Sequence, residues 1–156
     1  MDIETRFKLD FVDNYGLDPT ELPDFISIFD SGIGVIKRNN DVQKSDLKGG
    51  VVVNLVLVDD ESIQRINKKY RKKDVTTDVV SLSYLAGDKF PGEDLVGEIF
   101  ISVDTAKRQA IEHNHPLKEE LLYLFAHGLL HVFGYDHKEE TERVRMFALQ
   151  EEILAD

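Results

Sequence analysis

The sequence predicts an α+β fold: one domain over residues 1–156, with three or four strands flanked by about five helices. Three observations lead there. Val51 to Val58 is an almost wholly apolar, β-branched run, which reads as a central strand. Other segments carry their apolar residues at helical spacing. Internal repeats, low-complexity tracts and linker-like proline clusters are missing from a chain of 156 residues, a length that suits one hydrophobic core.

Taken in order, Ile3 to Phe11 has strand-like character. Pro19-Thr20-Glu21 opens a helix in which Leu22, Phe25, Ile26, Phe29 and Ile33 form a buried stripe, with Gly32 and Gly34 weakening its end. Gly49-Gly50 punctuates before Val51–Val58, a strand expected to be buried on both faces. Asp59, Asp60 and Glu61 then suit the first turn of a helix over about residues 60–70, with Ile63, Ile66 and Tyr70 following. Asp78–Tyr84 is a second strand, Ala86–Asp94 a turn or loop, and Val96–Ser102 a third strand. Asp104–His113 is a helix with Ala106 and Ala110 inward. Pro116 starts the next, with Leu117, Leu121, Leu124, Leu129 and Val132 as its apolar stripe and Gly134 as a left-handed C-cap. The last helix, Glu139–Leu154, is expected to turn Val144, Phe147, Ala148 and Ile153 inward.

Composition removes several function classes. The absence of cysteine excludes disulfides and thiolate zinc sites, so a metal must be held by nitrogen and oxygen. No apolar run approaches the roughly 20 residues of a membrane-spanning helix. The start, MDIETRFKLD, lacks the features of a secretory signal, so a cytoplasmic location is expected. A net charge of −11 opposes non-specific attraction to phosphate backbones. The charge is uneven, however. Lys68, Lys69, Arg71, Lys72 and Lys73 lie within six residues that contain no acid, and without them 14 basic residues face 30 acidic ones. Such a strip can recruit a phosphate segment locally.

The segment that carries chemistry is His127-Gly128-Leu129-Leu130-His131-Val132-Phe133-Gly134-Tyr135-Asp136-His137, which holds three of the five histidines. Residues four apart are neighbours on one helix face, so His127 and His131 can reach one ion. Gly134 permits a sharp turn, and His137 can swing back as a third ligand. One zinc ion held by three histidines keeps a fourth position for water, whose pKa it lowers from about 15.7 to about 7. The H-x-x-x-H-x-x-G-x-x-H spacing matches that of the metzincin peptidases, with one difference. Those enzymes carry a glutamate base after the first histidine, where this chain has Gly128. The ligand set is that of a peptidase and the base is missing.

The basic strip has two readings: a solvated helix end favoured by the dipole, or a grip on phosphate. In the second, Arg71 stabilises charge developing on a phosphoryl oxygen, while Lys69, Lys72 and Lys73 hold the nucleic-acid backbone. Thr77-Asp78 caps or braces the following strand. Asp136 either orients an imidazole or fixes its loop. His113 and His115 flank a turn before Pro116 without a clear partner and are expected to be solvated.

HGLLHVFGYDH resembles the signature of the YbeY family, zinc-dependent endoribonucleases of bacterial rRNA processing and ribosome quality control. NKKYRKKDVTTDVVSLSY and VGEIFIS are similar to further segments of that family, and the likeness runs from about residue 51 to 154. Thr76 stands where the family usually has proline, Val80 and Leu82 where it has Leu- and Phe-type residues, and Glu98 where it has Asp. The resemblance implies a mixed sheet flanked by helices. It also implies metal ligation by His127, His131 and His137, and an Arg71 near the metal that takes part in RNA cleavage. The expected substrate is an rRNA precursor. Because the chain is acidic, a ribosomal or assembly-factor protein is the expected agent of delivery. Two alternatives remain: a metallopeptidase with an unusual base, and a non-catalytic ribosome-assembly factor whose structural zinc is closed by Asp136 or Glu139.

Overall fold

The computed structural model describes residues 6–39, 50–85 and 94–155. It contains strands β1 (Arg6–Asp13), β2 (Gly50–Val58), β3 (Val79–Ser83) and β4 (Leu95–Ser102). The helices are α1 (Phe25–Arg38), α2 (Asp60–Arg71), α3 (Val103–Glu112), α4 (Leu117–Val132) and α5 (Glu140–Leu154). The sheet order is β1-β2-β4-β3. β1, β2 and β4 run parallel, and the short edge strand β3 runs antiparallel to β4, so the sheet is mixed, as expected. The expected loop at Ala86–Asp94 lies almost wholly outside the described residues.

The two faces of the sheet are covered unequally. Val51, Val53, Leu55 and Leu57 of β2, with Ile99 and Ile101 of β4, are fully buried in the main core, which α1, α4 and α5 complete. The other face carries Val56, Val58, Val80, Leu82 and Phe100 under Ile63 and Ile66 of α2. Val52, Asn54 and Val56 stay partly exposed there, so β2 is not buried on both faces as its sequence predicts. Among the described residues, the 12 residues of α2 cover only part of that face.

Three other elements depart from expectation for identifiable reasons. Pro19–Glu21 is a separate 3-10 turn, and α1 begins only at Phe25, where the Asp24 carboxylate accepts from Ser27 N at 3.1 Å. Pro23 accounts for the break: the residue before a proline avoids helical backbone, and Leu22 sits at ψ 124°. Ile26 consequently falls on the exposed side, 64% accessible. Gly32 does not weaken α1, which continues to Arg38. A β-carbon at Gly32 would lie 2.5 Å from Leu129 Cδ2, so its absence is what lets α1 cross close to α4. In α5 the inward face is Met146, Leu149, Gln150 and Ile153, whereas Val144, Phe147 and Ala148 face outward. The true face follows the i, i+3, i+4, i+7 rule but includes a glutamine.

α4 is the hub of the fold. It packs on β3, β4, α1, α3 and α5, burying Leu121, Leu124, Phe125, Ala126, Leu129, Leu130 and Val132. Its last turn is tied to the edge strand by Ser83 Oγ, which donates to Val132 O at 2.6 Å.

Candidate metal centre

His127 and His131 lie one turn apart near the end of α4. The chain leaves that helix through a Schellman turn: Gly134 N donates to His131 O at 3.0 Å, and Tyr135 N to Leu130 O at 3.0 Å. Gly134 takes the left-handed conformation this turn requires, with φ +99°. Asp136 Oδ1 then accepts from His137 N at 2.7 Å, so of its two expected roles the structure shows the loop-fixing one. The turn directs His137 back over the helix end. Its ring centroid lies 5.7 Å from that of His127 and 5.2 Å from that of His131.

The donor atoms of the three rings all lie within 4.8 Å of one another. His127 Nε2 and His131 Nε2 are 3.1 Å apart. Two nitrogens bound tetrahedrally to one zinc would be separated by about 3.4 Å. The site therefore fits an ion with only small ring adjustments. Neither Asp136 nor Glu139 joins this group. Burial pushes the His131 imidazole down to about 4, helped by the neighbouring His127 and His137. Burial also lowers His127, partly offset by its hydrogen bond to Gln150. Both rings are thereby neutral near pH 7, the form that binds a metal.

Gln150 is a site residue that sequence reasoning missed. It is 1% exposed on α5 and places Oε1 3.2 Å from His127 Nδ1. Its own Nε2 donates to Tyr123 O at 3.3 Å, which assigns Oε1 as the acceptor. The His127 proton thus sits on Nδ1, leaving Nε2 free to coordinate. The available signal was a polar residue at a position where the α5 stripe calls for an apolar one.

Gly128, where the peptidases keep their base, lies against the sheet. A β-carbon there would be 2.9 Å from Ile99 Cγ2 and 2.9 Å from Ser81 Oγ. The close seating of α4 on β3 and β4 leaves no room for a glutamate.

The basic strip ends α2. Lys68 pairs with Asp74 at 3.9 Å and Lys69 lies over the Tyr70 ring at 5.1 Å. Arg71 is exposed, as are Lys72 and Lys73, and none of the three makes an ion pair among the described residues. Lys72 takes left-handed backbone, φ 59°. The buried Asn67 clasps the segment that follows, donating from Nδ2 to Val75 O at 3.0 Å and accepting from Lys73 N at 3.4 Å through its backbone carbonyl. Asp78 braces β3: its Oδ1 accepts from Val79 N at 2.7 Å and its Oδ2 from Gln109 Nε2 at 3.3 Å. The structure brings the three histidines together. Among the described residues, no hydrogen bond or ion pair links Arg71, Lys69, Lys72 or Lys73 to them.

The chain is similar to known proteins. The family model for Endoribonuclease YbeY matches residues 34–156. The chain belongs to the YbeY family. Endoribonuclease YbeY of Oceanobacillus iheyensis is 38% identical over 139 residues, covering 83% of this chain and 90% of that one. The Myxococcus xanthus Endoribonuclease YbeY is 47% identical over 110 residues, covering 69% of this chain but only 37% of its own length. The solution structure of a Thermotoga maritima protein shares the fold, with TM-score 0.57 and 24% identity, over 94% of this chain and 89% of the other.

One expectation about this YbeY relative holds only in part. His113 is exposed, as expected, but neither His113 nor His115 is partnerless. Glu120, on the first turn of α4 and 1% exposed, receives both on Oε2: His113 Nδ1 at 3.1 Å and His115 Nε2 at 2.5 Å. The turn that joins α3 to α4 brings these residues together, and no helical spacing announces it.

Proposed function

We propose that this chain is a single-strand-preferring, metal-dependent endoribonuclease acting in the cytoplasm on rRNA precursors, in rRNA maturation and ribosome quality control. One zinc ion is held by His127, His131 and His137. The observation that carries this reading is the convergence of three imidazole donors without a fourth protein ligand among the described residues, in a chain of the YbeY family. When bound, zinc supplies Lewis acidity toward a phosphoryl oxygen.

The chain's own groups supply the remainder. Gln150 holds the His127 ring with its coordinating nitrogen bare. Phosphodiester cleavage concentrates negative charge on the phosphoryl oxygens, and the Arg71 guanidinium, free of any acidic partner among the described residues, offsets it. Lys69, Lys72 and Lys73 screen the neighbouring phosphates. Phe147 is 40% exposed with its ring centroid 6.5 Å from that of His127. Together with Tyr123, Gln150 and Leu154 it lines a depression of about 350 Å³. An aromatic face beside the metal supports a preference for unpaired bases, which stack where a duplex cannot. The acidic remainder of the chain supports delivery of RNA by a ribosomal or assembly-factor protein. The absence of a base at Gly128 weighs against peptide hydrolysis.

The test is His131→Ala, assayed for zinc content and for cleavage of an rRNA precursor. Both are expected to fall, cleavage by at least about 100-fold. Full cleavage by metal-free His131→Ala would overturn the proposal. Arg71→Glu is expected to keep its zinc and lose cleavage.

A further inference from the structure

We propose that His113, His115 and Glu120 form a second cation site, for one zinc-class divalent ion, at the opposite end of α4. Their donor atoms lie within 4.8 Å of one another. Two imidazoles and a carboxylate are an established ligand set for zinc. The carboxylate supplies the second observation. Glu120 is 1% exposed, and its Oε1 has no hydrogen-bond partner among the described residues. Buried carboxylate oxygens are ordinarily satisfied, and one left without a donor invites a cation. No Lys or Arg pairs with Glu120 among the described residues; the partners of its carboxylate are His113 and His115. His115 also faces the exposed Glu119, with Nδ1 3.6 Å from Oε2.

The backbone holds this arrangement before any ion arrives. α3 ends in a Schellman turn of its own: Asn114 N donates to Ile111 O at 3.1 Å and His115 N to Ala110 O at 3.0 Å, with Asn114 at φ +54°. That turn puts His113 and His115 on either side of a left-handed residue, their ring centroids 5.5 Å apart. Glu120 precedes His127 by seven residues, about 10.5 Å along the helix. Paired catalytic metals sit about 3.5–4 Å apart, so the two sites act independently. An ion here clamps the α3–α4 turn onto the first turn of α4, the helix that carries the histidines of the first centre.

The experiment is a zinc titration of chelator-stripped full chain, with bound metal counted after gel filtration and folding followed by circular dichroism. The wild type is expected to bind two equivalents, and His131→Ala to keep one. His113→Ala changes an exposed side chain; it is expected to lose the second equivalent while retaining the first and its RNA cleavage. Cobalt bound to His131→Ala should give a visible spectrum that His113→Ala/His131→Ala lacks. A folded His131→Ala chain that binds no zinc overturns the second site and leaves the first untouched. So does a His113→Ala chain that still binds two equivalents. Failure of the nuclease reading would appear separately, as unchanged RNA cleavage by His131→Ala.

Discussion

The two ends of α4 repeat one device with different chemistry. At each, a helix ends in a Schellman turn that aims a histidine back at side chains of α4: His137 beyond Gly134, and His115 beyond Asn114. At the C-terminal end the donors are three imidazoles, two of them held neutral by burial, with Gln150 behind and Phe147 alongside. At the N-terminal end a buried carboxylate takes the place of one imidazole. A neutral nitrogen set leaves the full charge of a divalent ion to act on a substrate. A set containing a carboxylate cancels part of that charge, yet two imidazoles and a carboxylate also hold catalytic zinc. The surroundings separate the two ends: an exposed aromatic ring stands beside the C-terminal centre, whereas the N-terminal group ties the α3–α4 turn to the first turn of α4.

The comparison breaks most completely if α4 is lifted off the sheet. Gly128→Glu would drive a side chain into Ile99 and Ser81, already 2.9 Å from a bare β-carbon. A loss of about 3 kcal/mol is expected, from overpacking and from a buried charge, read as a lower urea midpoint. The variant should gain no peptidase activity, because the added carboxylate points at β4. An unchanged midpoint would mean that Gly128 is dispensable to packing.

A narrower break is Gln150→Leu, which removes the acceptor for His127 Nδ1 while keeping the volume buried against α4. Zinc affinity at the histidine centre is expected to fall about 10–100-fold. The hydrogen bonds and ion pairs that join His113, His115 and Glu120 involve no residue of α5, so the affinity of that group should stay the same. Isothermal titration of Gln150→Leu, in wild-type and His113→Ala backgrounds, separates the two effects. An equal loss at both would show a general weakening of α4 instead of a lost ring partner.

These contrasts also show why some of the architecture could be read from sequence and some could not. His127, His131, Gly134 and His137 announced themselves because each relation is local: four residues on a helix face, and a glycine where the backbone must turn left-handed. Asp59 and the acids after it marked the start of α2 for the same reason. Gln150 did not, because it meets His127 across 23 residues of chain, and it interrupts the apolar stripe that identifies the inner face of α5. The exposed Phe147 and Val144 drew that face the wrong way. His113 and His115 looked partnerless because their partner, Glu120, reaches them only through the bend between two helices. The reason for glycine at 128 was equally hidden, since it lies in Ile99 and Ser81 of two distant strands.

The smallest expected effect sharpens the comparison through pH. In metal-free protein, burial chiefly, and then His127 and His137, hold His131 at about 4 against an ordinary value of 6.5. The unfolded chain therefore binds a proton there that the folded chain refuses at pH values between those two. Stability must then fall as the pH drops from about 6.5 to about 4, and the lost contribution is recovered on raising the pH again. His127 shifts in the same direction and adds to the slope. With a chelator present, urea midpoints of the wild type at pH 7.5 and pH 5 should differ by more than those of His131→Gln, whose amide does not titrate. Carboxylates elsewhere contribute to both proteins alike and cancel in that difference. Equal pH slopes would mean that His131 is solvated enough to protonate in the folded state. The C-terminal end of α4 would then lack the desolvation that keeps its imidazoles ready for a metal.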